Sequence, residues 1–323
     1  MFRGYDRILR YFPRYARPLI QGTLCVVASR LLMVYAPLFL GDALRALEAG
    51  GADSAATAIR AGWSFVGVAA GAGFFTFLMR RLLIETSRRM ERDLKRDLFA
   101  HVERLPASYF DRTRTGDLIS RLTSDVEAVR WSFGPGFMYV GGTVVLFPMV
   151  IWAMAHLSLS TTLFALLPLL AIAVVVRLVG PSIMARTRAV QDRLGDLSAR
   201  AQESFAGARV VRAYATQPTE IRQFASVNRE LVKENVDLAR YRALLQGGLF
   251  ALGGAAELVV LWYGGLQVTE GELALGNLVP LVAYVGMLIW PMISVGWVVS
   301  ALQRSAAAMK RIDAVMDTPP EQS

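Results

Sequence analysis

Residues able to do chemistry are sparse in this chain of 323 amino acids. It holds two histidines, His101 and His156, and one cysteine, Cys25. That excludes an internal disulfide framework and a cysteine-based metal cage, and it disfavours a histidine-rich zinc or haem site. No Gly-x-x-x-x-Gly-Lys-Ser/Thr loop occurs, so nothing in these residues cradles a nucleotide phosphate. Two charges, Arg30 and Glu257, stand alone inside long apolar runs. An enzyme buried among such runs would need paired carboxylates or a His/Cys constellation there. These two residues do not supply one, so no catalytic and no metal-binding residue is assigned. The remaining candidates lie in two polar segments, at Thr115–Arg121 and Gly207–Tyr214, where apolar side chains sit among charged ones.

The elements that must position these residues follow from composition. The chain is 54% apolar and 19% charged, with a mean hydropathy of +0.40. A soluble globular domain, a disordered chain and a fibrous repeat all fit poorly. A bilayer core needs about 20 apolar residues in a helix. Leu19–Leu40 has one charge, Ala61–Met79 none, Ala243–Thr269 only Glu257, and Leu273–Gln303 none. Trp131–Val176 is also uncharged, but as one helix it would be about 69 Å long. It must therefore fold back, and His156–Ser160 is the least apolar place to turn. The count is six spans.

Of the 35 basic residues, 32 fall in the N-terminal segment, in Arg80–Arg130, in Arg177–Arg242 and at the C-terminal end. The positive-inside rule then places both termini and both long connections in the cytoplasm. The net charge of +9 is topological rather than a nucleic-acid footprint. Nearly all of it is arginine, which with abundant Ala and Gly is the composition of a GC-rich, bacterial genome. The N-terminal segment, with Tyr5, Ile8, Leu9, Tyr11 and Phe12 between arginines, reads as an interfacial amphipathic helix ending near Pro13 or Pro18. Arg30 and Glu257 come out at similar depth, roughly 15 Å from opposite faces by helical rise. They form either a structural ion pair or separate groups lining a hydrated cavity, and the cavity is the favoured reading.

The two long connections are not loop-like. Leu82–Leu105 has no Gly or Pro, and Glu85–Arg88, Glu85–Arg89 and Glu91–Lys95 are spaced as on a solvated helix face. The second span therefore continues as one helix from about Ala58 to Leu105, stopped by Pro106. The second connection repeats this, with Pro218 interrupting the pattern. Each is a helix down, a turn and a helix back. At the first tip, Thr115 can cap a short helix with Asp117 in its first turn, and Leu118 and Ile119 form an exposed apolar knob beside Arg121. At the second tip, Gly207 loosens the descending helix, and Val210, Val211 and Tyr214 supply the knob.

At these residues the sequence resembles the transmembrane domain of ATP-binding cassette exporters. Phe110-Asp111…Thr115-Gly116-Asp117-Leu118-Ile119-Ser120-Arg121 is similar to that family's first coupling helix. Gly207-Ala208-Arg209-Val210-Val211-Arg212…Tyr214 is similar to its second. Ala308-Met-Lys-Arg311-Ile312…Asp317-Thr-Pro319-Pro320-Glu321 is similar to the end of the sixth helix and the linker beyond.

The resemblance implies an all-α membrane protein. Residues 1–18 would be an elbow helix, 19–315 a six-helix transmembrane domain with cytoplasmic extensions, and 316–323 the start of a linker to a nucleotide-binding domain. It also implies a multi-pass protein of the cytoplasmic membrane that works as one half of a homo- or heterodimer. Energy would come from a partner ATPase domain holding ATP and Mg, since neither that domain's phosphate loop nor its Leu-Ser-Gly-Gly-Gln signature is present. A hydrophobic or amphipathic substrate would cross by alternating access. The alternative is a channel or regulatory membrane protein that keeps the exporter fold without ATP. Arg30, Glu257, Tyr284, Trp290 and Trp297 are the substrate-pathway candidates. Gly67 and Gly71 form a Gly-x-x-x-Gly pair suited to close helix packing. His101 and His156 read as solvated.

The missing phosphate loop generates one expectation. The purified 323-residue chain shows no saturable ATP binding by equilibrium dialysis, and saturation at millimolar ATP would refute it.

Overall fold

The computed structural model describes residues 11–50 and 53–321, which form helices and short connections without a strand. The helices are α1 (Phe12–Ala49), α2 (Ser54–Val102), α3 (Ala107–Arg112), α4 (Thr115–Leu157), α5 (Leu159–Ala206), α6 (Ala208–Ala213), α7 (Gln217–Thr269) and α8 (Leu275–Met316). All but α3 and α6 are long and apolar enough to cross a membrane, which makes six such helices among the described residues. α4 contains two π-type turns, Arg121–Asp125 and Ser132–Gly136.

Several boundaries fall where the side chains demand. The fold-back in the third apolar run is a single extended residue, Ser158. α2 stops at Val102, and Pro106 caps the next helix. α5 stops at Ala206, before Gly207. The interfacial helix expected over residues 1–18 lies largely outside the described residues. Its described end does not terminate at a proline, because α1 begins at Phe12, takes Pro13 in its first turn and runs on through Pro18. A proline in the first turn sacrifices only an N–H that has no helical acceptor.

The chain divides into two compact units, residues 1–165 with 257–323, and residues 166–256. The core of the first unit is a seam along α2. Met79, Leu83, Met90, Leu94 and Leu98 recur at helical spacing and are buried with Tyr15, Leu19, Cys25 and Val26 of α1, Val126 and Val129 of α4, and Ala308, Met309, Ile312 and Val315 of α8. α1 and α2 run antiparallel in a fixed register. Tyr11 and Tyr15, one turn apart, donate hydrogen bonds to Asp97 and Asp93, each 2.6 Å long. Further along, a Cβ on Gly22 would collide with Leu83, and one on Gly71 would stand 3.2 Å from Leu32 Cδ1. Gly67 meets nothing within 4 Å, so only one member of the glycine pair packs inside this chain. α1 and α8 come close together at Gly41 and Gly276, where each backbone carbonyl occupies the space of the other's missing Cβ.

In the second unit, α5 and α7 run antiparallel. They are joined by Arg193 to Glu230 at 3.1 Å, by Arg200 to Glu220, and by Arg186 stacked 3.8 Å over the Tyr241 ring. These links are exposed or partly exposed, and each is worth only a fraction of a kcal/mol to about 1 kcal/mol.

Asp93 is the buried charge of the α1–α2 seam, beyond the apolar span that ends at Met79. Burial pushes its carboxyl up, but the Tyr15 hydroxyl, Arg92 and the Arg14 charge outweigh this and hold it below the ordinary carboxylate range. A depressed native pKa contributes stability above the unfolded value and loses it as pH falls through the native one. Asp93→Asn is therefore expected to lower stability in detergent by about 2 kcal/mol at neutral pH, the scale of hydrogen bonds to a charged group. The gap from wild type should shrink in acid, and a gap independent of pH would show that Asp93 is already neutral.

Candidate functional site

Three sites emerge from the candidate residues. The first is a cavity of about 480 Å³ in the larger unit, lined by residues of α1, α2, α4 and α8 that include Arg30, Arg80, Tyr139, Gly142 and Trp290. α1 carries Arg30 into it, and α4 makes room. A Cβ on Gly142 would stand 2.9 Å from Arg30 Nη2, so the guanidinium lies against bare backbone. Arg30 makes one weak bond, Nη1 to the Met33 sulfur at 3.6 Å, and its buried Nε has no partner. No ion pair joins it to Glu257, whose Oε1 stands 3.5 Å from where a Gly286 Cβ would be. The two charges are separate groups rather than a structural pair.

Two pathway candidates are placed otherwise than expected. Tyr284 is fully buried, and its hydroxyl donates to the Val34 carbonyl at 2.7 Å, so it joins α8 to α1 instead of facing a path. Trp297 is not among the lining residues. It packs edge-on to Trp131 and Tyr139, at centroid distances of 5.1 and 5.5 Å.

The second site is the first tip. Thr115 is the first residue of α4, and the capping position is Arg114, without a side-chain bond. Gly116 faces open space, and Asp117 accepts from Arg121 at 2.7 Å. The expected two-residue knob is half present: Ile119 is 56% exposed, but Leu118 is only 6% exposed. Neighbours along a helix point about 100° apart, so one can turn inward while the next faces out. Ser120 is exposed, and its Oγ lies 3.0 Å from that of Ser124.

Behind this tip lies a contact between sequence motifs that the sequence does not join. Asp125, buried in the first π-type turn, accepts two bonds from Arg311 of α8, Nε at 2.8 Å and Nη2 at 2.5 Å. The two are 186 positions apart, and only a fork-to-fork geometry of this kind would reveal the pairing. The segment after α8 is tied down as well. The Glu321 N–H donates to the Arg104 carbonyl at 2.7 Å, and His101 Nε2 donates to the Thr318 carbonyl at 3.0 Å. His101 is thus a tether rather than a solvated residue. His156 similarly bonds the Trp152 carbonyl through Nδ1 at 2.9 Å.

The third site is the tip of the smaller unit. Phe205, Val210 and Tyr214 are 79%, 61% and 77% exposed, with Val211 half-buried and Arg209 and Arg212 exposed around them. Gly207 breaks α5, Ala208 begins the short α6, and Ala215 closes the turn at a φ of +52°. A left-handed alanine costs about 1–2 kcal/mol. Arg200, bonded to both Glu203 and Glu220, holds the base of the tip.

Six helices long and apolar enough to cross a membrane, with polar extensions beyond the apolar runs, define a multi-pass membrane domain. Residues 19–292 match the ABC transporter transmembrane region, and the chain belongs to that family. It is 28% identical over 97% of its length to the probable multidrug resistance ABC transporter ATP-binding/permease protein YheI of Bacillus subtilis, of which it covers 54%. It is 29% identical over 76% of its length to the multidrug resistance-like ATP-binding protein MdlA of Escherichia coli, covering 42% of it. It is 26% identical over 76% of its length to the ATP-dependent lipid A-core flippase of Pseudoalteromonas translucida, again covering 42% of it. The chain spans about half the length of the curated relatives it matches.

The Asp125–Arg311 pair has a measurable weight. Arg311→Gln strands a buried carboxylate and is expected to cost about 2–3 kcal/mol. Adding Asp125→Asn should restore part of that loss. Additive effects in this double-mutant cycle would mean that the two residues do not interact.

Proposed function

We propose that this chain is the membrane half of an ATP-driven exporter, forming the translocation path by alternating access and energised by nucleotide-binding domains. The observation that carries this reading is the exposed apolar surface of Ile119, Phe205, Val210 and Tyr214 at the ends of polar helical extensions, coinciding with family membership. Large apolar side chains at the tips of polar stalks suit a docking partner. The multidrug and lipid A-core relatives whose names include ATP binding or ATP dependence support an ATPase domain in that place, with ATP and Mg bound there.

In this reading both termini and both tips are cytoplasmic, as the basic residues indicate, and the protein works as a dimer in the cytoplasmic membrane. Coupling helix 1 comprises Thr115–Arg121, and coupling helix 2 comprises Gly207–Arg212 with Tyr214. Leu118 serves by anchoring the first from inside, while Ile119 makes its contact. The ties from Asp125 to Arg311 and from His101 to Thr318 give motion at the linker a direct route to α2 and α4. A helix transmits such a displacement, whereas a flexible loop would absorb it. The cargo is hydrophobic or amphipathic, in keeping with the Met and aromatic residues around the cavity.

The test is Ile119→Asp together with Val210→Asp in the transporter assembled with its ATPase domains. ATP-driven transport is expected to fall at least tenfold while membrane insertion is unchanged. Transport at the wild-type rate would refute the assignment of the tips.

A further inference from the structure

We infer that the α5–α7 pair binds the headgroup of an anionic bilayer phospholipid where its apolar runs end, through Arg186 and Arg242. The inference goes beyond the exporter reading and requires only that these runs cross a bilayer. The lipid is a constituent of the surrounding leaflet held on the surface of the smaller unit, and it is not cargo.

Charge is the first observation. Residues 177–191 of α5 and 238–256 of α7 contain five arginines, Arg177, Arg186, Arg188, Arg240 and Arg242, and no acid. The acids that bound these stretches are engaged or remote. Asp237 pairs with Arg240 at 3.4 Å. Asp192 lies six residues from Arg186, about 9 Å by helical rise, and Glu257 lies fifteen from Arg242, about 22 Å. Among the described residues, Arg186 and Arg242 make no ion pair. Further from the apolar runs the same helices behave differently. Arg193 meets Glu230 and Asp196, and Arg200 meets Glu220 and Glu203. The pair neutralises its distal arginines internally and leaves those at the membrane end without a counter-charge.

Geometry is the second observation. An orientation signal needs only the charge, whereas these side chains are also held. The Arg186 guanidinium lies 3.8 Å over the Tyr241 ring, and Arg242 Nη2 donates to Thr187 Oγ1 at 3.4 Å. The two contacts join adjacent residues on both helices, so both arginines are set at one level of the pair. A planar guanidinium already fixed loses less freedom when it grips a phosphate.

That level is the edge of the hydrocarbon. Arg242 directly precedes the apolar run that begins at Ala243. Met184 and Leu244, each two residues towards the membrane from an arginine, are exposed. A ligand for this surface has a negative head and an apolar body extending one way only, which is the form of a lipid in its leaflet. Basic groups at helix ends attract acidic headgroups in this manner. Arg177 lies nine residues deeper on α5, about 14 Å by helical rise, and is not assigned to the head.

Binding is measured by native mass spectrometry of the chain released from neutral maltoside micelles. The probes are phosphatidylglycerol, phosphatidylcholine and glycerol phosphate. Phosphatidylglycerol is expected to bind at least tenfold more tightly than either of the others. Arg186→Gln with Arg242→Gln should erase most of that advantage. Arg222→Gln with Arg229→Gln, which removes the same charge further along α7, should leave it within about twofold. Tyr241→Leu keeps every charge but frees Arg186, and should weaken phosphatidylglycerol several-fold. It decides the matter if the Arg186 and Arg242 variant does not fold, since wild-type affinity there overturns the inference.

Equal binding of the two lipids, or an equal loss in the Arg222 and Arg229 variant, also overturns it. Glycerol phosphate binding as tightly as phosphatidylglycerol overturns the assignment to a lipid. A second copy of this chain is the competing occupant, and the same spectra count copies. A wild-type dimer that the Arg186 and Arg242 variant loses, without any preference between lipids, would assign these arginines to an interface between copies and sink the lipid site.

Discussion

In the core of a bilayer there is no water to bond a free N–H or C=O, so a crossing segment must satisfy its backbone internally. The architecture of this chain depends on that requirement. Each of its six long helices is formed well beyond the length a membrane needs, and α2, at 49 residues, is about 74 Å long. Once a helix is established through an apolar run, each added residue gains a bond for one fixed backbone position, provided its side chain does not object. The polar continuations do not object, because they are rich in Arg, Glu, Leu and Met. Continuity across the bilayer thus becomes continuity into water, and the segments that hold the tips are extensions of the same helices.

The same requirement sorts the charges. Exposed pairs such as Arg89–Glu85 decorate the extensions and contribute little individually. Buried carboxylates are rarer and better provided for. Asp93 is surrounded by a tyrosine and arginines, and Asp125 is gripped by both nitrogens of one guanidinium face. Arg30 stands apart as a charge placed deep in an apolar helix with only a sulfur for company.

Much of this was legible in the residues. Apolar run length marked the six helices, Pro106 and Gly207 marked two of the ends, and the short polar stretch after His156 marked the fold-back. Salt-bridge spacing anticipated Glu85–Arg89 and Glu91–Lys95, although Arg88 turns to Glu91 instead of Glu85. The misses share a cause. Whether Leu118 faces in or out, whether Tyr284 lines a path or caps a carbonyl, and which acid Arg311 finds all depend on what another helix presents. Side-chain type and local period carry no record of that. Local pattern also cannot announce that Pro18 will sit inside a helix, because the loss of one hydrogen bond there is offset by packing around Tyr15 and Leu19.

The two π-type turns of α4 fall between the first tip and Gly142. A turn of this kind holds one residue more than an α turn closing over the same stretch. Conversion of either to regular α geometry would change the azimuth of everything beyond it by about 100°, the angle per residue of the helix. Gly142 would then swing away from Arg30 and a bulkier neighbour would take its place, with no helix unfolded and no hydrogen-bonded ladder lost. The phase of α4, and with it the shape of the cavity wall, is therefore held by two small backbone irregularities. One of them carries Asp125, the residue clamped by Arg311.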